Sequence, residues 1–442
     1  MCYGILDGIE IKDMDVRLQR RYWRLVREHM KTNPDVAAGP KALFDQNQSF
    51  ASTQALWRFL ANPRVGLPQL VEPLRQVGVR AVGESASGYA LLVHDWSKLS
   101  FPGHAAKTDQ TRLSHKEDIG YELYTSLLID AADGRALAPM ELELLSAAGV
   151  HTTSQSACRP RRHHLEQLLP TMEASRTWNV PARMVHVIDR EADSQFHFRE
   201  WHRSGHLFLV RADFTRKVDW RGHLFKLPDL AKRLDRDGFF QDAGELKFHG
   251  QLARRSVACV EVALSRPARK RTAQGRVKAS GEPLDLRLVI SRVLGEQGEL
   301  VAEWYLLTNV PDEISGATIA DWYYWRWRIE SYHKLLKSGG QQLEAWQQES
   351  ASAVAKRLLV AAMACVCVWQ LERQSTPEAR ECQKFLVRLS GRQLKRHKPI
   401  TTSALLAGLM ILLPVTELLE QYTPDELKHI AQTAAPLLFQ SD

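Results

Sequence analysis

Two short apolar runs, each ending in an aspartate, are the feature that most constrains the fold of this 442-residue chain. The first run, GYALLVHD, ends at Asp95, and the second, ARMVHVID, ends at Asp189. Runs of this length and composition predict buried β-strands. Acidic residues at the ends of buried strands lie at the rim of a sheet, where sites tend to form. The sequence therefore predicts a sheet that carries two carboxylates at its rim.

The segments around these strands predict a mixed α/β protein with helical ends. The first part of the chain has helical patterns, and helix is again predicted from residue 316 onward. Residues 122–139 predict two strands joined at an Ala-Asp-Gly turn. We therefore expect a helical DNA-binding domain at 1–85, a mixed-sheet core at 86–345 with a β-rich insertion at 215–310, and a helical domain at 346–442.

The charge of the chain suits a polyanionic partner such as nucleic acid. The net charge is +8, but many basic proteins bind no nucleic acid, so this argument is weak alone. A predicted helix at residues 15–31 adds a stripe of cations at helical spacing, formed by Arg17, Arg20, Arg24, Arg27 and Lys31. The stripe is either a DNA-contacting surface or a solvated helix face. A segment with six Arg or Lys at residues 266–280 predicts a basic loop, either in contact with phosphate or mobile.

Other features argue against several classes of protein. The six cysteines are scattered without a CxxC pair, which indicates reduced thiols in a cytoplasmic protein. The first residues show no basic segment followed by an apolar one, so we expect no signal peptide. The apolar run at 358–369 has 12 residues and predicts a buried helix, not a membrane span. Without a Walker A loop or a GxSxG motif, ATP use and serine hydrolysis lack support.

The segment YYWRWRIESYHKLLKSGG, residues 323–340, contains one acid among several cations and aromatic side chains. On an ideal helix of about 100° per residue, four of its residues lie within about 60° of one another: Tyr323, Arg326, Glu330 and Lys337. This stripe suggests a surface that holds an anion and a cation together. A local ion pair between Glu330 and Lys334 is the simpler alternative.

A third carboxylate, Glu330, can join Asp95 and Asp189 if the fold brings the three segments together. Such a cluster normally needs a hard cation, and Mg²⁺ prefers carboxylates, waters and phosphate oxygens. Two such ions held close together activate the attacking oxygen and stabilise the leaving oxygen in phosphodiester cleavage. Arg326 and Lys337 would then meet the phosphates.

These motifs together resemble one family of DNA-processing enzymes. The Tyr-x2-Arg-x3-Glu-x6-Lys pattern, with VIDREAD around Asp189 and LLVHDWSKLSF around Asp95, is similar to the cut-and-paste DDE transposases of bacterial insertion-sequence family four, the Tn-five-type group. The resemblance covers roughly residues 15–345. One position departs from the family pattern, because Trp96 stands where the family more often has Thr or Ser.

The resemblance implies a fold and a catalytic centre. It implies an RNase H-like core with Asp95 and Asp189 on adjacent strands and Glu330 on a following helix. These three would be the catalytic residues and would hold two Mg²⁺ ions, with Mn²⁺ as a substitute. The implied reaction nicks the transposon end, forms a hairpin through the freed 3′-hydroxyl, opens it with water and joins the 3′-hydroxyl to target DNA.

The resemblance also implies DNA contacts and partners. Tyr323, Arg326 and Lys337 would grip phosphates, Arg211 in LVRADF would contact DNA, and Trp304 in EWYLLTNVP would stack on a flipped base. With the net charge, it makes the stripe of Arg20, Arg24 and Arg27 an expected DNA contact. The expected partners are double-stranded transposon-end and target DNA and a second copy of the chain, which the helical tail would bind. The expected location is the bacterial cytoplasm, at the nucleoid.

Alternatives remain open for the residues and for the function. Asp189 could only cap the following turn, Trp304 could be core, and Arg211 could pair with an acid such as Glu191. At the level of function, a DDE nuclease without strand transfer and a catalytically silent DNA-binding relic or repressor stand beside an active transposase.

Overall fold

The computed structural model of the chain describes residues 8–31, 46–114, 117–154, 164–248, 250–272, 275–279, 281–393 and 400–434. The helices are α1 Val16–Lys31, α2 Gln46–Ala61, α3 Leu67–Gly83, α4 Leu165–Ser175, α5 Gln195–Arg203, α6 Leu227–Arg236, α7 Gly316–Tyr324, α8 Trp327–Leu336, α9 Ala351–Arg373, α10 Pro377–Leu389, α11 Thr402–Gln421 and α12 Pro424–Ala434. The strands are β1 Tyr89–Ser100, β2 Thr111–Arg112, β3 Ile119–Asp130, β4 Ala136–Ser146, β5 Gly149–Thr152, β6 Arg183–Ile188, β7 Leu207–Arg211, β8 Lys217–Trp220, β9 His223–Lys226, β10 Gln241–Phe248, β11 Gln251–Leu264, β12 Ala268–Thr272, β13 Gly275–Ala279, β14 Leu284–Leu294 and β15 Leu300–Thr308.

One mixed sheet organises the part of the chain that the structure describes. Its main path runs β5-β4-β3-β1-β6-β7-β15-β14-β11-β8-β9, with β2 paired to β3 and β10 paired to β11. The centre of this path is parallel, because β6 pairs in parallel with β1 on one side and β7 on the other. Strands β3 and β15 flank that parallel centre in the antiparallel sense. The predicted mixed α/β class is confirmed at this level.

The predicted hairpin at 122–139 is confirmed, with longer strands than the sequence indicates. β3 and β4 pair in antiparallel register, and Gly134 in the turn between them has a φ of +71°, which glycine adopts without steric cost. Two register shifts interrupt the ladder, so the two long strands bend together. The turn reaches the helices on one face of the sheet, which matters for the site below.

The expected β-rich insertion extends the same sheet. β15 pairs with β7, and β14, β11 and β8 continue outward from it in antiparallel register. The insertion also contains a helix, α6, whose buried face is formed by Leu227, Leu230, Ala231 and Leu234. The prediction of a basic loop at 266–280 is corrected, since β12 and β13 pair there as a separate two-stranded hairpin.

Helices cover both faces of the sheet. On one face, α4, α5 and α6 pack over a core that includes Leu168, Phe198, Trp201 and Leu230. On the other face, α3, α8 and α9 pack over a larger core. Helices from the two ends of the chain meet there, because α1 contacts both α9 and α11. The domain boundaries expected from the sequence stay a prediction.

The apolar run at 358–369 lies within α9, which is buried along most of its length, as predicted. By length and composition alone, α9 and α11 could each cross a membrane. In α9, however, 83% of the most apolar window is enclosed by protein, which is the pattern of a core helix.

Candidate active site

The first acid lies inside a strand, not at its end. β1 continues to Ser100 because β3 keeps pairing with it, down to the partner Gly120. The parallel ladder between β1 and β6, however, ends at the pair His94 and Ile188. Asp95 is the next residue of β1, and Asp189 directly follows the last residue of β6, so the two carboxylates lie where the ladder stops, each 3.9 Å from Arg326.

The third acid lies on a helix that packs against β1. Glu330 lies in the first turn of α8, and α8 contacts β1 directly. The sequence predicted one continuous helix through residues 323–337, and this is wrong. The helix ends at Tyr324, resumes at Trp327 and ends again at Leu336.

The break between α7 and α8 fits against the β3–β4 turn. The Trp322 indole donates a hydrogen bond to Ala131 O (3.1 Å), and Arg328 Nε donates to Gly134 O (2.9 Å). The Trp325 ring covers Gly134 so closely that a Cβ there would lie 2.4 Å from Trp325 Cδ2. The hairpin turn therefore holds the segment that carries Arg326 and Glu330.

A single guanidinium joins the three acids. Arg326 Nη2 lies 2.7 Å from Glu330 Oε1 and 3.9 Å from Asp189 Oδ2, and Arg326 Nη1 lies 3.9 Å from Asp95 Oδ2. The Arg326 side chain is only 5% exposed, so solvent screens these interactions weakly. The structure therefore brings the three carboxylates that were singled out from the sequence together around the guanidinium of Arg326.

Asp189 receives further donors from three elements. Tyr323 donates its hydroxyl to Asp189 Oδ1 (3.0 Å), and Arg211 Nε forms an ion pair with the same oxygen at 3.0 Å. The backbone N–H of Arg190 also donates to it (2.6 Å), so Asp189 caps the short 3-10 turn Arg190–Ala192. Asp189 therefore caps this turn and also lies beside the other two acids, so the two interpretations of this residue are compatible. Arg211 pairs with Asp189 in place of the Glu191 that was considered from the sequence.

The surroundings shift the pKa values of the two aspartates in opposite directions. Burial raises the pKa of Asp95 to about 6, although the charge of Arg326 and the hydrogen bond from Trp96 N oppose the rise. Burial also disfavours the charged form of Asp189, but Arg326, the Arg190 N–H, Arg211 and Tyr323 outweigh it and lower its pKa. Burial lowers the pKa of Arg326, but Tyr323, Asp189, Asp95 and the hydrogen bond to Glu330 outweigh burial and raise it above its usual range. The site thus holds more negative charge than one guanidinium neutralises.

The oxygen donors of this cluster are of the type that a hard divalent cation binds, but among the described residues they are not placed to form a metal site. Three carboxylates supply oxygen ligands of the kind that Mg²⁺ takes. Among the described residues, the buried Nε of Arg326 has no hydrogen-bond partner. In the described ranges, no group of three His, Cys, Asp or Glu side chains is placed to hold a metal ion, and Arg326 lies between the acids as their counter-charge.

Trp304 lies at the margin of the cluster. Its ring centroid is 6.5 Å from that of Tyr323 and 5.9 Å from that of Phe248. The indole is partly buried and packs against the larger core. It is therefore next to the side chain that binds Asp189, and both core packing and ligand stacking are compatible with this position.

Lys337 points away from the three acids. It follows the last residue of α8, and its ammonium donates to the carbonyl of Lys98 and lies 3.7 Å from Glu344. Lys98 lies further along β1, and Glu344 lies beside the end of that strand, where it accepts a hydrogen bond from Ser100 N (2.9 Å). The predicted single stripe of four residues is corrected in this respect, because the helix break and the helix end separate Lys337 from Tyr323.

The N-terminal stripe is only partly a free basic surface. Arg17, Arg20, Arg24 and Arg27 are exposed, but Lys31 is buried and forms an ion pair with Glu417 of α11. Arg24 binds Glu28 and Ser52 at 3.2 Å each, and Arg27 lies 3.8 Å from Glu417. The expectation of one stripe of five cations is therefore corrected at Lys31, which packing with α11 withdraws from solvent.

One histidine lies next to this site, and sequence spacing did not predict its contacts. His164 lies between Glu122 and Glu191, and its ring stacks on Trp96 at 4.6 Å between centroids. These residues are far apart in the chain, so no local spacing could indicate their contact. The departure at Trp96 from the family pattern was the one available signal.

Comparisons with known proteins add little to this geometry. No protein-family model matches the chain. A solved cryo-EM structure, the piggyBac transposase synaptic complex with hairpin DNA, is similar over 98% of this chain and 78% of that one, at 10% sequence identity and a TM-score of 0.36. A likeness at that level carries no argument about fold or function, so the functional conclusion depends on the site itself.

Proposed function

We propose that this protein is a DDE transposase that cuts and joins DNA with a centre made of Asp95, Asp189 and Glu330. The observation that carries the proposal is the convergence of three carboxylates from distant segments on the guanidinium of Arg326. A carboxyl whose pKa burial raises strongly beside specific charged partners, as for Asp95, is a candidate functional group.

The RNase H-like core is part of the same proposal. Two points support it: Asp95 lies on β1 and Asp189 directly follows β6, which pairs with β1 in parallel, and Glu330 lies on a later helix that packs against β1. This arrangement matches what the family resemblance implies.

The residues of the cluster have distinct roles in the proposed reaction. Asp95, Asp189 and Glu330 would hold two Mg²⁺ or Mn²⁺ ions, which supply the charge that activates the attacking oxygen and stabilises the leaving one. Arg326 and Tyr323 would bind phosphate oxygens of the DNA in place of the carboxylates that they contact now. Lys337 and Arg211 would add phosphate contacts on either side.

The cutting and joining steps are those that the family resemblance implies. Water attacks the phosphorus at the transposon end and frees a 3′-hydroxyl on the element. That hydroxyl attacks a phosphodiester of the opposite strand, which forms a hairpin and releases the flanking strand with a 3′-hydroxyl. Water then opens the hairpin, and the 3′-hydroxyl of the element attacks a target phosphodiester and displaces a target 3′-hydroxyl. Trp304 would stack on a base removed from the helix during hairpin formation.

The proposed partners are double-stranded DNA and a second copy of the chain. Arg20, Arg24 and Arg27 would contact DNA phosphates through their exposed guanidinium groups. The end of the described chain offers an apolar surface for the second copy, formed by the exposed side chains Ile411, Val415, Leu419, Tyr422 and Ile430. The proposed location is the bacterial cytoplasm, at the nucleoid.

Cleavage of a plasmid that carries the gene's own flanking sequences tests this function. The wild-type protein with Mg²⁺ should cut at the ends of the element and give hairpin and joined products on denaturing gels. Glu330→Gln should bind the same ends without cutting, and Glu296→Gln, which changes an exposed acid in the β14–β15 turn, should behave as wild type.

Two other results would favour the alternative functions. Cuts without any joined product would indicate a nuclease that lacks strand transfer. Binding without cutting in the wild-type protein would indicate a silent DNA-binding relic or repressor, in which Arg326 is the permanent counter-charge of the acids.

A further inference from the structure

His164 bridges two carboxylates that belong to different parts of the fold. Its Nε2 lies 2.9 Å from Glu122 Oε1 on β3, and its Nδ1 lies 3.1 Å from Glu191 Oε1 in the turn after β6. A neutral imidazole donates from only one nitrogen, so both contacts are donor contacts only when the ring is charged. Burial disfavours that charge, but the hydrogen bonds to Glu122 and Glu191 outweigh it and raise the pKa of His164 to about 9.

Trp96 supports this ring from one side. The two rings are nearly parallel, at 7° between planes and 4.6 Å between centroids, as expected for a cation on an aromatic face. The Trp96 indole also donates to Gln167 Oε1 on α4 (3.0 Å). His164 directly precedes α4, so the helix start, the ring stack and both carboxylates fix one another.

The bridge joins the segments that carry the two aspartates. Trp96 directly follows Asp95 and donates its backbone N–H to Asp95 Oδ1 (2.9 Å). Glu191 lies two residues after Asp189, in the turn that Asp189 caps. Because adjacent side chains of a strand point to opposite faces, Trp96 and His164 hold this region from the face opposite to Asp95.

Backbone hydrogen bonds between β1 and β6 do not join the two segments at Asp95 and Asp189. The ladder between β1 and β6 ends at the pair His94 and Ile188, one residue before each aspartate. Beyond that pair, the two strands separate, and β6 gives way to the turn Arg190–Ala192. The contacts of His164 span the gap at this point.

We propose that His164 is a positioning residue that sets the separation of Asp95 and Asp189 by joining Trp96 to the turn that carries Glu191. The inference rests on the proposed function and adds a residue to the same site. His164 acts through Trp96 and Glu191 on the residues that would hold the metal. Loss of such an outer contact typically weakens metal binding or activity by about 10- to 100-fold.

Binding of Mn²⁺ to the full-length protein tests the inference without reference to catalysis. Free Mn²⁺ is measured by electron paramagnetic resonance for the wild type, His164→Gln and His223→Gln, a control histidine that is exposed on β9. We expect His164→Gln to raise the Kd for Mn²⁺ by about tenfold or more and to slow cleavage, with DNA-end binding unchanged. The His223→Gln protein should match wild type in all three.

A conservative variant separates positioning from simple stability. His164→Arg keeps a positive charge that can donate to both carboxylates, so it should recover part of the Mn²⁺ affinity that His164→Gln loses. If His164→Gln does not fold, Glu122→Gln removes one of the two charged contacts and should weaken Mn²⁺ binding in the same direction. Wild-type Mn²⁺ affinity and cleavage in His164→Gln, or in Glu122→Gln when that variant replaces it, overturns the inference.

The outcome also distinguishes this inference from the proposed function. A wild-type protein that binds Mn²⁺ and cuts DNA, beside a His164→Gln protein that does both equally well, overturns the role of His164 alone. A wild-type protein that neither binds Mn²⁺ nor cuts overturns both proposals together.

Discussion

The hydroxyl of Tyr323 donates a hydrogen bond of 3.0 Å to Asp189, which lies 134 residues earlier in the chain. Three residues after Tyr323, Arg326 lies 3.9 Å from the same carboxylate. Tyr323 lies in the last turn of α7, and Arg326 lies in the break between α7 and α8. The candidate site therefore depends on a helix break that the β3–β4 hairpin turn holds in place.

Replacement of Arg326 tests its role as the counter-charge of the acids. Arg326→Gln should lower the free energy of unfolding without metal by about 2 kcal/mol, less than the roughly 3 to 5 kcal/mol of a fully buried pair, because Glu330 is 39% exposed. Mg²⁺ should restore part of this loss and stabilise the variant more than the wild type. Urea unfolding with and without Mg²⁺ measures both effects.

Arg203→Gln, which changes an exposed arginine on α5 away from the acids, serves as the control for that measurement. Its loss should cost little stability and should not change the response to Mg²⁺. Wild-type stability of Arg326→Gln in the absence of Mg²⁺ would show that the acids do not need this guanidinium.

The contact of Trp325 with Gly134 is predicted to set the position of the site helix. Gly134→Ala should lower the free energy of unfolding by about 2 kcal/mol, since the new Cβ meets the Trp325 ring at a positive φ. Gly103→Ala is the matched control, because Gly103 has a similar φ of +77° and open space around it. Thermal or urea unfolding measures the loss of stability in each variant. Equal losses would show that the contact with the Trp325 ring contributes nothing.

The raised pKa of Asp95 gives a pH dependence of known sign. Asp95 has a pKa of about 6 in the folded protein and about 3.9 when unfolded, so between these values the folded state holds a proton that the unfolded state releases. This carboxyl therefore favours folding at low pH, and its ionisation costs stability as pH rises through 6.

The variant Asp95→Asn should remove that cost. Without metal, it should be more stable than wild type at pH 8 by about 2 kcal/mol and nearly equal to it at pH 4. Mg²⁺ should then stabilise the wild type and not the variant. Urea midpoints at the two pH values give the answer, and a variant that is less stable at pH 8 would contradict the burial argument.

Local sequence patterns predict much of the fold, because strands and turns have recognisable residue patterns. The apolar runs before Asp95 and Asp189 are strands, and the Ala-Asp-Gly segment is a hairpin turn. The extent of β1 was not visible, since it depends on pairing with β3, a contact that no local pattern reports. The same reason hid the continuation of the sheet through β15.

The residues of the candidate site were predicted from the sequence, but their relative positions were not. The spacing of Tyr323, Arg326 and Glu330 is compatible with a continuous helix, so the break at Trp325 could not be read from periodicity. That break is set by the β3–β4 turn, which is distant in sequence. The contacts of His164 could not be predicted, because its partners come from three separate elements.

The role of Trp304 predicts a difference between two steps of one reaction. Trp304→Ala should slow hairpin formation about tenfold or more while first-strand nicking changes little, because loss of base stacking typically costs about 1 to 3 kcal/mol. Single-turnover assays on a pre-nicked and an intact end measure the two steps. Phe385→Ala, at an exposed position on α10, is the control. Equal slowing of both steps would indicate that Trp304 only packs in the core and does not stack on a base.

The most direct test of the three-carboxylate centre is a change of metal preference in Asp189→Cys. A thiolate binds Mg²⁺ poorly and accepts softer ions such as Mn²⁺ better. We predict that the wild type cuts element ends with either ion, whereas Asp189→Cys loses cleavage with Mg²⁺ by more than about 100-fold and regains a measurable part of it with Mn²⁺. Cleavage by Asp189→Cys at the wild-type rate with Mg²⁺ would contradict the assignment of Asp189 as a metal ligand and, with it, the proposed centre.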